Sequence, residues 1–315
     1  MRNFRDFVHL HLHSDRSALD SIIKPKQLAR RVKELGMPAV AVTDHGVAAA
    51  SIALYKACKE EKKPKGDNLE WNDIWESRTK PIIGMESYLA PTDDHTLREI
   101  LEGHPKQQCY HLTLLARNSK GVSQLFKLSS IGFLEGYYYK PRVSLKLVEE
   151  IGHDLIVMGA CAKGPVSWNL LNDNRKQAAK YLARLRDSFE GRFYLEVMDH
   201  RIPFQDPLNQ ELIRLAELYE TPWIPTNDAH FLIREDHHEH SLMMCLQLKK
   251  TLPELSAAGM RYPQECYVKT PAEMCSHWGE QACFRTVEVA EQIEEYDLIP
   301  DKPLFPRYEE NGKGE

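Results

Sequence analysis

Short apolar runs alternate with amphipathic stretches through most of the chain. Apolar runs bounded by polar or turn-forming residues are typical of buried strands, and apolar positions three or four apart predict helices. Helices are predicted from Lys26 to Leu35, before Gly36, and from Pro207 to Tyr219. The predicted strands are Phe7 to Leu12, Ala39 to Thr43, Pro81 to Leu89, Tyr110 to Ala116, Asp154 to Ala160, Phe193 to Met198 and Trp223 to Thr226. Such alternation implies parallel strands joined by crossover helices.

Polar side chains of the metal-binding kind stand at the ends of these strands, which favours a closed barrel over an open sheet. In barrels of alternating strands and helices, the chemistry lies at the rim formed by the strand ends. No glycine-rich G-x-G-x-x-G or G-x-x-x-x-G-K-[ST] run follows any strand. The sequence therefore supports neither a dinucleotide site nor a P-loop nucleotide site.

The alternation is interrupted twice and changes after about residue 235. The segments from Lys62 to Lys80 and from Pro91 to Gln108 are polar, and we expect them to be surface insertions. Further on we expect helices around Ser241 to Leu248, Pro271 to Trp278 and Gln281 to Ile293, and a strand at Glu265 to Lys269. The expected division is a barrel over residues 1–235, a helical and mixed extension over 236–298, and an extended or disordered tail over 299–315.

Composition limits the class of protein only loosely. The 315 residues, 42% hydrophobic and 28% charged, suffice for one large α/β domain with an appendage. A net charge of −5 gives no general attraction to nucleic acid, so any such binding needs a local basic patch. Seven cysteines without a C-x-x-C pair indicate a reduced, cytoplasmic chain, and no apolar stretch is long enough for a membrane span. The polar N-terminus leads us to expect no targeting segment.

His11 and His13 stand two residues apart on a predicted strand, so both side chains point to the same face, and His9 shares this alternation. Taken alone, the run fits a metal site or satisfied core histidines equally. Further groups able to bind metal follow the other strands, namely Asp44 and His45, Glu86, His111, Cys161, and Asp228 with His230. Each has an ordinary alternative, such as a helix cap or a buried thiol, but their recurrence at separate strand ends favours a multinuclear metal site.

These residues lie in segments that resemble the polymerase and histidinol phosphatase (PHP) domain family, in the form found at the N-terminus of the bacterial DNA polymerase III alpha subunit. The resemblance covers almost the whole chain. It rests on Phe7 to Ser14 with Ser17 to Asp20, Gly36 to Gly46, Lys80 to Glu86, Leu125 to Ser130, Gly136 to Arg142, Thr226 to His230, Cys245 to Leu252 and Tyr267 to Met274.

The resemblance implies a distorted (β/α)7 barrel of the PHP type with a mostly helical C-terminal extension, and two to three divalent ions of zinc, manganese or iron at its rim. The first ion would be held by His11, His13, Glu86 and Asp228, the second by Glu86, His111 and Cys161, and the third by Asp20, His45 and His230. All nine positions carry competent ligands, which favours an active site. Glu86 and Asp228 would hold the ions that activate the attacking water in phosphoester hydrolysis. His9, Asp44 and Asn227 would orient the ligands without binding metal themselves.

The segment Tyr137 to Arg142 is an aromatic and basic loop that could hold a single-stranded 3′ end. Lys140 and Arg142 would contact phosphate and the tyrosines would stack on bases, with Lys163 a weaker candidate for the same role. Alternatively, the tyrosines pack the loop and the two cations face solvent. The run from Glu235 to His240 starts a helix and is assigned no role.

Three functions are compatible with these residues. The favoured one is a metal-dependent phosphoesterase, namely a 3′–5′ exonuclease of the proofreading type acting on DNA. The second is an accessory module, stabilised by metal, that docks a replicative polymerase or another replication protein. The third is a small-molecule phosphatase of the histidinol phosphatase kind. Ser21 departs from the family's usual glycine after Asp20, and no Asp-x-Asp pair of a polymerase palm occurs.

Overall fold

The computed structural model describes residues 7–59, 79–98, 109–296 and 298–299. The strands of this described part are β1 (Ala39–Val42), β2 (Lys80–Leu89), β3 (Tyr110–Ala116), β4 (Tyr137–Tyr138), β5 (Lys140–Val143), β6 (Leu155–Met158), β7 (Phe193–Val197) and β8 (Trp223–Pro225). Most side chains of β1, β2, β3, β6 and β7 are buried on both faces, as expected for a sheet covered by helices. The α/β fold class is confirmed.

The sheet closes on itself through the N-terminal segment. β1, β2, β3, β6, β7 and β8 lie side by side in that order. The segment around His9 to Leu12 forms single parallel bridges, one to Val40 of β1 and one to Ala229 after β8. The amide of His13 donates to the Ala229 carbonyl over 2.9 Å. The N-terminal segment is therefore the seventh member of the ring, attached by single bridges instead of a continuous ladder, and the barrel is distorted there as predicted.

One strand of the ring runs against the others, which corrects the expectation of a wholly parallel barrel. β3 pairs antiparallel with β2 and with β6, whereas β1–β2, β6–β7 and β7–β8 are parallel. The start of β3 therefore lies at the same rim as the C-terminal ends of its neighbours. His111, the second residue of β3, reaches that rim for this reason.

Helices follow most strands, and their bounds agree with the predictions to within a few residues. The predicted helices from Lys26 and from Pro207 begin at Pro25 and Gln205. The described helices are α1 (Pro25–Glu34), α2 (Ser51–Lys59), α3 (Ser119–Leu134), α4 (Leu145–Ile151), α5 (Pro165–Leu171), α6 (Arg175–Ser188), α7 (Gln205–Leu218), α8 (His237–Leu248), α9 (Leu252–Ala257), α10 (Pro271–Trp278) and α11 (Glu280–Glu291). Each of these helices is too short or too polar to cross a membrane.

The segment after β8 packs onto the barrel instead of extending away from it. The Thr286 hydroxyl in α11 accepts a hydrogen bond from the amide of Val8 over 2.9 Å. The Tyr296 hydroxyl accepts one from the amide of Ile83 over 2.7 Å. Val268, which follows the bridge between Phe231 and Tyr267, is fully buried in the common core. The division of the chain at residue 235 stays a prediction, since the two parts share this core.

Two other expectations change. The segment from Tyr137 to Arg142 is not a loop but an antiparallel hairpin of β4 and β5, which turns at Tyr139 with a φ of 60°. Its second strand also extends the sheet along β2. Most of both expected insertions and the tail after Ile299 lie outside the described residues, and Lys80, the expected end of the first insertion, begins β2.

Candidate metal centre

The nine predicted ligand side chains come together at one rim of the barrel. The N-terminal segment supplies His11 and His13, and the loop after it supplies Asp20. The remaining six lie on or just after strands of the ring. They are His45 after β1, Glu86 in β2, His111 in β3, Cys161 after β6, and Asp228 and His230 after β8.

Glu86 lies at the centre of the cluster, and its carboxylate is almost fully buried. Its Oε1 is 3.0 Å from His111 Nδ1 and 3.3 Å from His11 Nε2. Its Oε2 is 2.8 Å from His45 Nδ1 and 3.5 Å from His13 Nε2. One carboxylate thus touches imidazoles on both of its oxygens, which is the arrangement of a group that bridges two cations.

Two other carboxylates flank Glu86. Oδ1 of Asp228 is 3.1 Å from His13 Nε2 and 3.4 Å from His11 Nε2. On the opposite side, Oδ2 of Asp20 is 2.9 Å from His45 Nε2 and 3.3 Å from His230 Nε2. The buried cluster therefore has three acidic groups, each facing two or more imidazole nitrogens.

Cys161 completes the cluster beside Glu86. Its Sγ is 3.8 Å from Glu86 Oε1 and 3.8 Å from His111 Nδ1. Burial, followed by the charges of Glu86 and Asp228, raises the pKa of the Cys161 thiol well above its usual range. A cation at this position would offset those negative charges and favour the thiolate.

The partners of the histidines determine which ring nitrogens carry protons. His11 Nδ1 is 2.8 Å from Oε2 of Glu196, and His230 Nδ1 is 2.8 Å from the carbonyl oxygen of Asp228. These oxygens only accept hydrogen bonds, so each Nδ1 carries the hydrogen. In the neutral imidazole, Nε2 of His11 and of His230 therefore presents a lone pair towards the neighbouring carboxylates.

His13 follows the same rule through a hydroxyl. Ser17 Oγ donates its hydrogen to Asp44 Oδ1 over 2.8 Å. The Ser17 oxygen therefore accepts a hydrogen bond from His13 Nδ1 at 3.3 Å. The Nε2 lone pair of His13 then faces Asp228. Lone pairs of imidazole and carboxylate at this distance repel each other unless a proton or a metal ion lies between them.

The carboxylates also change the pKa values of the histidines. Burial lowers the pKa of His45, but Glu86 and Asp20 outweigh it and raise the pKa to about 10. His11 is likewise buried, yet Glu196, Asp228 and Glu86 together raise its pKa well above the usual range. Conversely, the histidines lower the pKa of Asp228 despite its desolvation. Burial and the neighbouring His45 instead lower the pKa of His13 to about 3, so the cluster stabilises positive charge at His11 and His45 but not at every imidazole.

Five buried atoms of the predicted ligands form no hydrogen bond of good geometry, although they lie in close pairs 2.8–3.5 Å apart. They are Nε2 of His11, Nε2 of His13, Nδ1 of His45, Oε2 of Glu86 and Oδ1 of Asp228. Buried polar atoms without a partner are costly and rare, so their convergence in one place requires an explanation. Mixed imidazole, carboxylate and thiol donors suit zinc, manganese or iron. The residues present therefore fit a divalent metal centre.

Glu196 in β7 holds the cluster from behind and was missed by the sequence analysis. Its side chain is fully buried and accepts from His11 Nδ1. It also accepts from the amide of Ala160 and the hydroxyl of Thr226, each over 2.7 Å. When a histidine binds metal through one ring nitrogen, a carboxylate that accepts a hydrogen bond from the other nitrogen fixes the orientation of the ring. The available signal was a lone glutamate within an apolar strand.

The three residues expected to orient ligands differ in what they contact. Asp44 accepts from the amide and hydroxyl of Ser14 and from Ser17, and so orders the loop that holds His13. His9 instead donates to the Lys269 carbonyl over 2.9 Å, which ties the barrel to the extension. Asn227 likewise donates to the carbonyls of residues 265 and 267, over 2.9 and 2.7 Å.

The two cations expected to contact substrate phosphate also differ. Arg142 is buried, and its guanidinium donates to the carbonyls of Gly136, His95 and Leu97 over 2.8–3.2 Å. Because these donors are committed to the backbone, Arg142 stabilises the hairpin and does not point at a phosphate. Lys140, in contrast, is exposed, with its ammonium 5.1 Å from the centre of the Tyr88 ring.

A cavity of about 820 Å³ opens onto the cluster. Asp20, His45 and His111 form part of its floor, and Lys140 and Lys163 lie on its wall. The aromatic side chains along it are Tyr88, Phe133, Tyr137, Tyr139, Trp168 and Tyr262. A cavity of this size admits a nucleotide-sized ligand, and its two lysines add positive charge beside the cluster.

The chain is similar in sequence to known proteins. The chain matches the sequence model of the PHP domain over residues 9–200. It is 35% identical over 95% of its length to the DNA polymerase III subunit alpha of Aquifex aeolicus, of which it covers 26%. For the same subunit of Helicobacter pylori the identity is 34% over 97% of this chain and 24% of the relative. The chain thus spans about a quarter of the length of these relatives.

Among solved structures, the chain is similar to one assigned to a metal-dependent phosphoesterase of Bifidobacterium adolescentis. The TM-score is 0.42 and the sequence identity 14%, and the alignment covers 71% of this chain and 87% of the other.

Proposed function

The chain belongs to the PHP domain family, and on that premise we propose that its nine-residue cluster binds divalent metal ions and hydrolyses phosphate esters. The observation that carries the proposal is the convergence of five buried nitrogen and oxygen atoms that lie in close pairs 2.8–3.5 Å apart without hydrogen bonds of good geometry. Metal coordination would satisfy all five at once. It would also balance the negative charge of Asp20, Glu86 and Asp228, which burial alone makes unfavourable.

Distances support the ligand groups proposed for the first and third ions, although atoms of His13, His45 and His230 also lie within 4.8 Å of one another. His11, His13 and Asp228 offer atoms within 4.8 Å of one another and would hold the first ion together with Glu86. Asp20 Oδ2 lies between His45 and His230, the arrangement proposed for the third ion.

The second ion has an additional candidate ligand. His45, Glu86 and His111 also lie within 4.8 Å of one another. His45 thus faces two of the proposed positions, with Nδ1 at Glu86 and Nε2 at Asp20. Cys161, 3.8 Å from Glu86 Oε1, would complete the second position.

When bound, such ions activate a water molecule for attack and stabilise the charge that develops on the phosphoryl oxygens. The chain's own residues provide the rest. Glu196 and the Asp44–Ser17 pair hold His11 and His13 in the tautomer that exposes Nε2. Lys140 and Lys163, on the cavity wall, are placed to attract the phosphate group of a substrate.

We propose DNA as the substrate and 3′–5′ exonuclease activity as the reaction. Phe133 and Tyr137 are about half exposed beside the cavity and lie with nearly parallel rings, 6.2 Å between centroids. Aromatic surfaces of this kind stack on unpaired bases without sequence preference. The relatives are replicative polymerase subunits, which supports a role for the chain in DNA replication.

A direct assay uses the metal-loaded protein and 5′-end-labelled single strands and duplexes with a 3′ mismatch. The proposal predicts a ladder of products shortened stepwise from the 3′ end. Asp228→Asn should reduce the rate by more than about 100-fold. Replacing a residue that only supports a metal ligand already lowers metal affinity or activity by about 10- to 100-fold. Asp187→Asn is the matched control, because Asp187 is 64% exposed and pairs with Arg186 on the surface.

Other outcomes point to the other functions. Metal binding without turnover of any phosphoester would leave the accessory docking module as the explanation of the site. Hydrolysis of small phosphomonoesters alone, with DNA intact, would favour the small-molecule phosphatase. Equal rates for Asp228→Asn and the unmodified protein would refute the proposed site.

A further inference from the structure

The segment that follows β8 reaches back to the candidate metal centre at Asp20. The hydroxyl of Tyr262, in the connection between α9 and α10, donates to Asp20 Oδ1 over 3.0 Å. His240, in α8, donates through Nε2 to the backbone carbonyl of Asp20 over 2.8 Å. The C-terminal segment thus forms hydrogen bonds to both the side chain and the backbone of Asp20, which lies more than two hundred positions earlier in the chain.

Tyr262 is itself held firmly in place. The backbone carbonyl of Tyr262 accepts a hydrogen bond from His237 Nε2 over 2.8 Å. The other nitrogen of the His237 ring, Nδ1, accepts a hydrogen bond from Arg261 at 3.3 Å. The Tyr262 ring also packs against two imidazoles, with its centroid 4.4 Å from that of His230 and 4.9 Å from that of His240. Its hydroxyl therefore approaches Asp20 from a fixed direction.

The two oxygens of Asp20 consequently have different roles. Oδ1 accepts the Tyr262 hydroxyl, whereas Oδ2 faces Nε2 of His45 at 2.9 Å and Nε2 of His230 at 3.3 Å. A carboxylate bound in this way has only one oxygen turned towards the two imidazoles. Without the hydroxyl, the group would be free to rotate and present both oxygens.

We propose that Tyr262 is a positioning residue of the metal centre, which makes Asp20 a one-oxygen ligand of the ion shared with His45 and His230. The inference rests on the proposed function, since it requires metal binding at this cluster. Like Asp228 and His230, Tyr262 lies beyond residues 9–200 of the family match, and it brings the segment that packs over the barrel into the site. The helical extension thereby contributes to the chemistry as well as to the core.

Tyr262→Phe tests the inference because it removes the hydroxyl and keeps the ring stacked on His230 and His240. The metal-free variant is first compared with the unmodified protein by thermal unfolding, to show that it folds. Metal is then titrated against a competing chelator, with cobalt(II) absorption reporting the coordination of each ion. Tyr194→Phe is the matched control, because its hydroxyl accepts from Gln292 over 2.7 Å and not from a ligand of the cluster.

The expected result is that one ion binds about 10- to 100-fold more weakly in Tyr262→Phe and shows a changed cobalt spectrum, while the others are unaffected. In an Asp20→Ala background, where that ion should bind weakly through His45 and His230 alone, Tyr262→Phe should cause no further loss of its affinity. Such non-additivity shows that the tyrosine acts through Asp20.

Unchanged affinities and spectra in Tyr262→Phe, in a protein whose unmodified form binds metal, would overturn the inference and leave the proposed function intact. An equal loss in the Asp20→Ala background would overturn it as well. If the unmodified protein bound no metal, the proposed function itself would fail, and the inference with it.

Discussion

Replacing Glu196 with glutamine tests how the barrel prepares His11 for metal. Three donors converge on this buried carboxylate: the amide of Ala160 on Oε1, and the hydroxyl of Thr226 and His11 Nδ1 on Oε2. Glutamine has nearly the same volume but only one acceptor oxygen. Its NH2 group must therefore face at least one of the former donors.

Either placement of the amide has a defined cost. If the NH2 group faces Ala160, a buried amide loses its acceptor, which destabilises the fold by about 1–3 kcal/mol. If it faces His11, the ring must accept at Nδ1 and carry its hydrogen on Nε2. That hydrogen would point at Glu86 and Asp228, and the lone pair needed for metal would be lost. We expect metal affinity at the first position to fall by about 10- to 100-fold.

The assay is a metal titration against a chelator, with thermal unfolding of the metal-free protein measured in parallel. Glu150→Gln serves as the control, since Glu150 is 58% exposed and pairs with Lys146 at the surface over 4.0 Å. Pairs of this kind contribute at most about 0.5 kcal/mol. If Glu196→Gln bound every ion as tightly as the unmodified protein, the role assigned to Glu196 would be wrong.

Three further predictions concern stability, substrate binding and pH. A methyl group at Gly164 would collide with the carbonyl oxygen of Gly159, so Gly164→Ala should destabilise the protein by about 1–3 kcal/mol in denaturant unfolding. An unchanged midpoint would contradict this. Arg142→Ala should lower the unfolding temperature, because the arginine holds three carbonyls, without weakening DNA binding by the folded protein. Lys140→Ala should weaken DNA binding and leave the unfolding temperature unchanged. If both variants bound DNA more weakly, Arg142 would again be a candidate phosphate contact. Burial lowers the pKa of His9 from 6.5 to about 4, so the unfolded chain takes up this proton first as the pH falls. The metal-free protein should therefore lose stability between about pH 6.5 and 4, and His9→Gln should reduce that slope; an identical slope would show that His9 is not the group responsible.

The ligands could be predicted from the sequence because they lie where local patterns end. A strand that stops at Asp44 and His45, or at Asp228 and His230, places these residues at a rim whatever the order of the strands. The direction of β3 could not be predicted in the same way. It depends on pairing with β2 and β6, which no local pattern encodes, and yet it explains why His111 stands at the start of its strand.

The supporting residues could not be predicted because their partners are distant in the chain. Glu196 contacts a histidine 185 positions away, and Tyr262 contacts a carboxylate 242 positions away. On its own, each resembles an ordinary polar residue of a strand or loop. Arg142 shows the converse, since its sequence context suggested a surface cation and the packing of the hairpin buried it.

We propose that the nine side chains at the barrel rim form a multinuclear metal centre. Its most direct test is anomalous scattering from crystals of the metal-loaded protein, measured above and below the absorption edge of the added metal. We expect at least two peaks at the rim, one between His11, His13 and Asp228 and one beside Glu86 and His111. Crystals without anomalous density at this cluster, under conditions that load other zinc or manganese proteins, would contradict it.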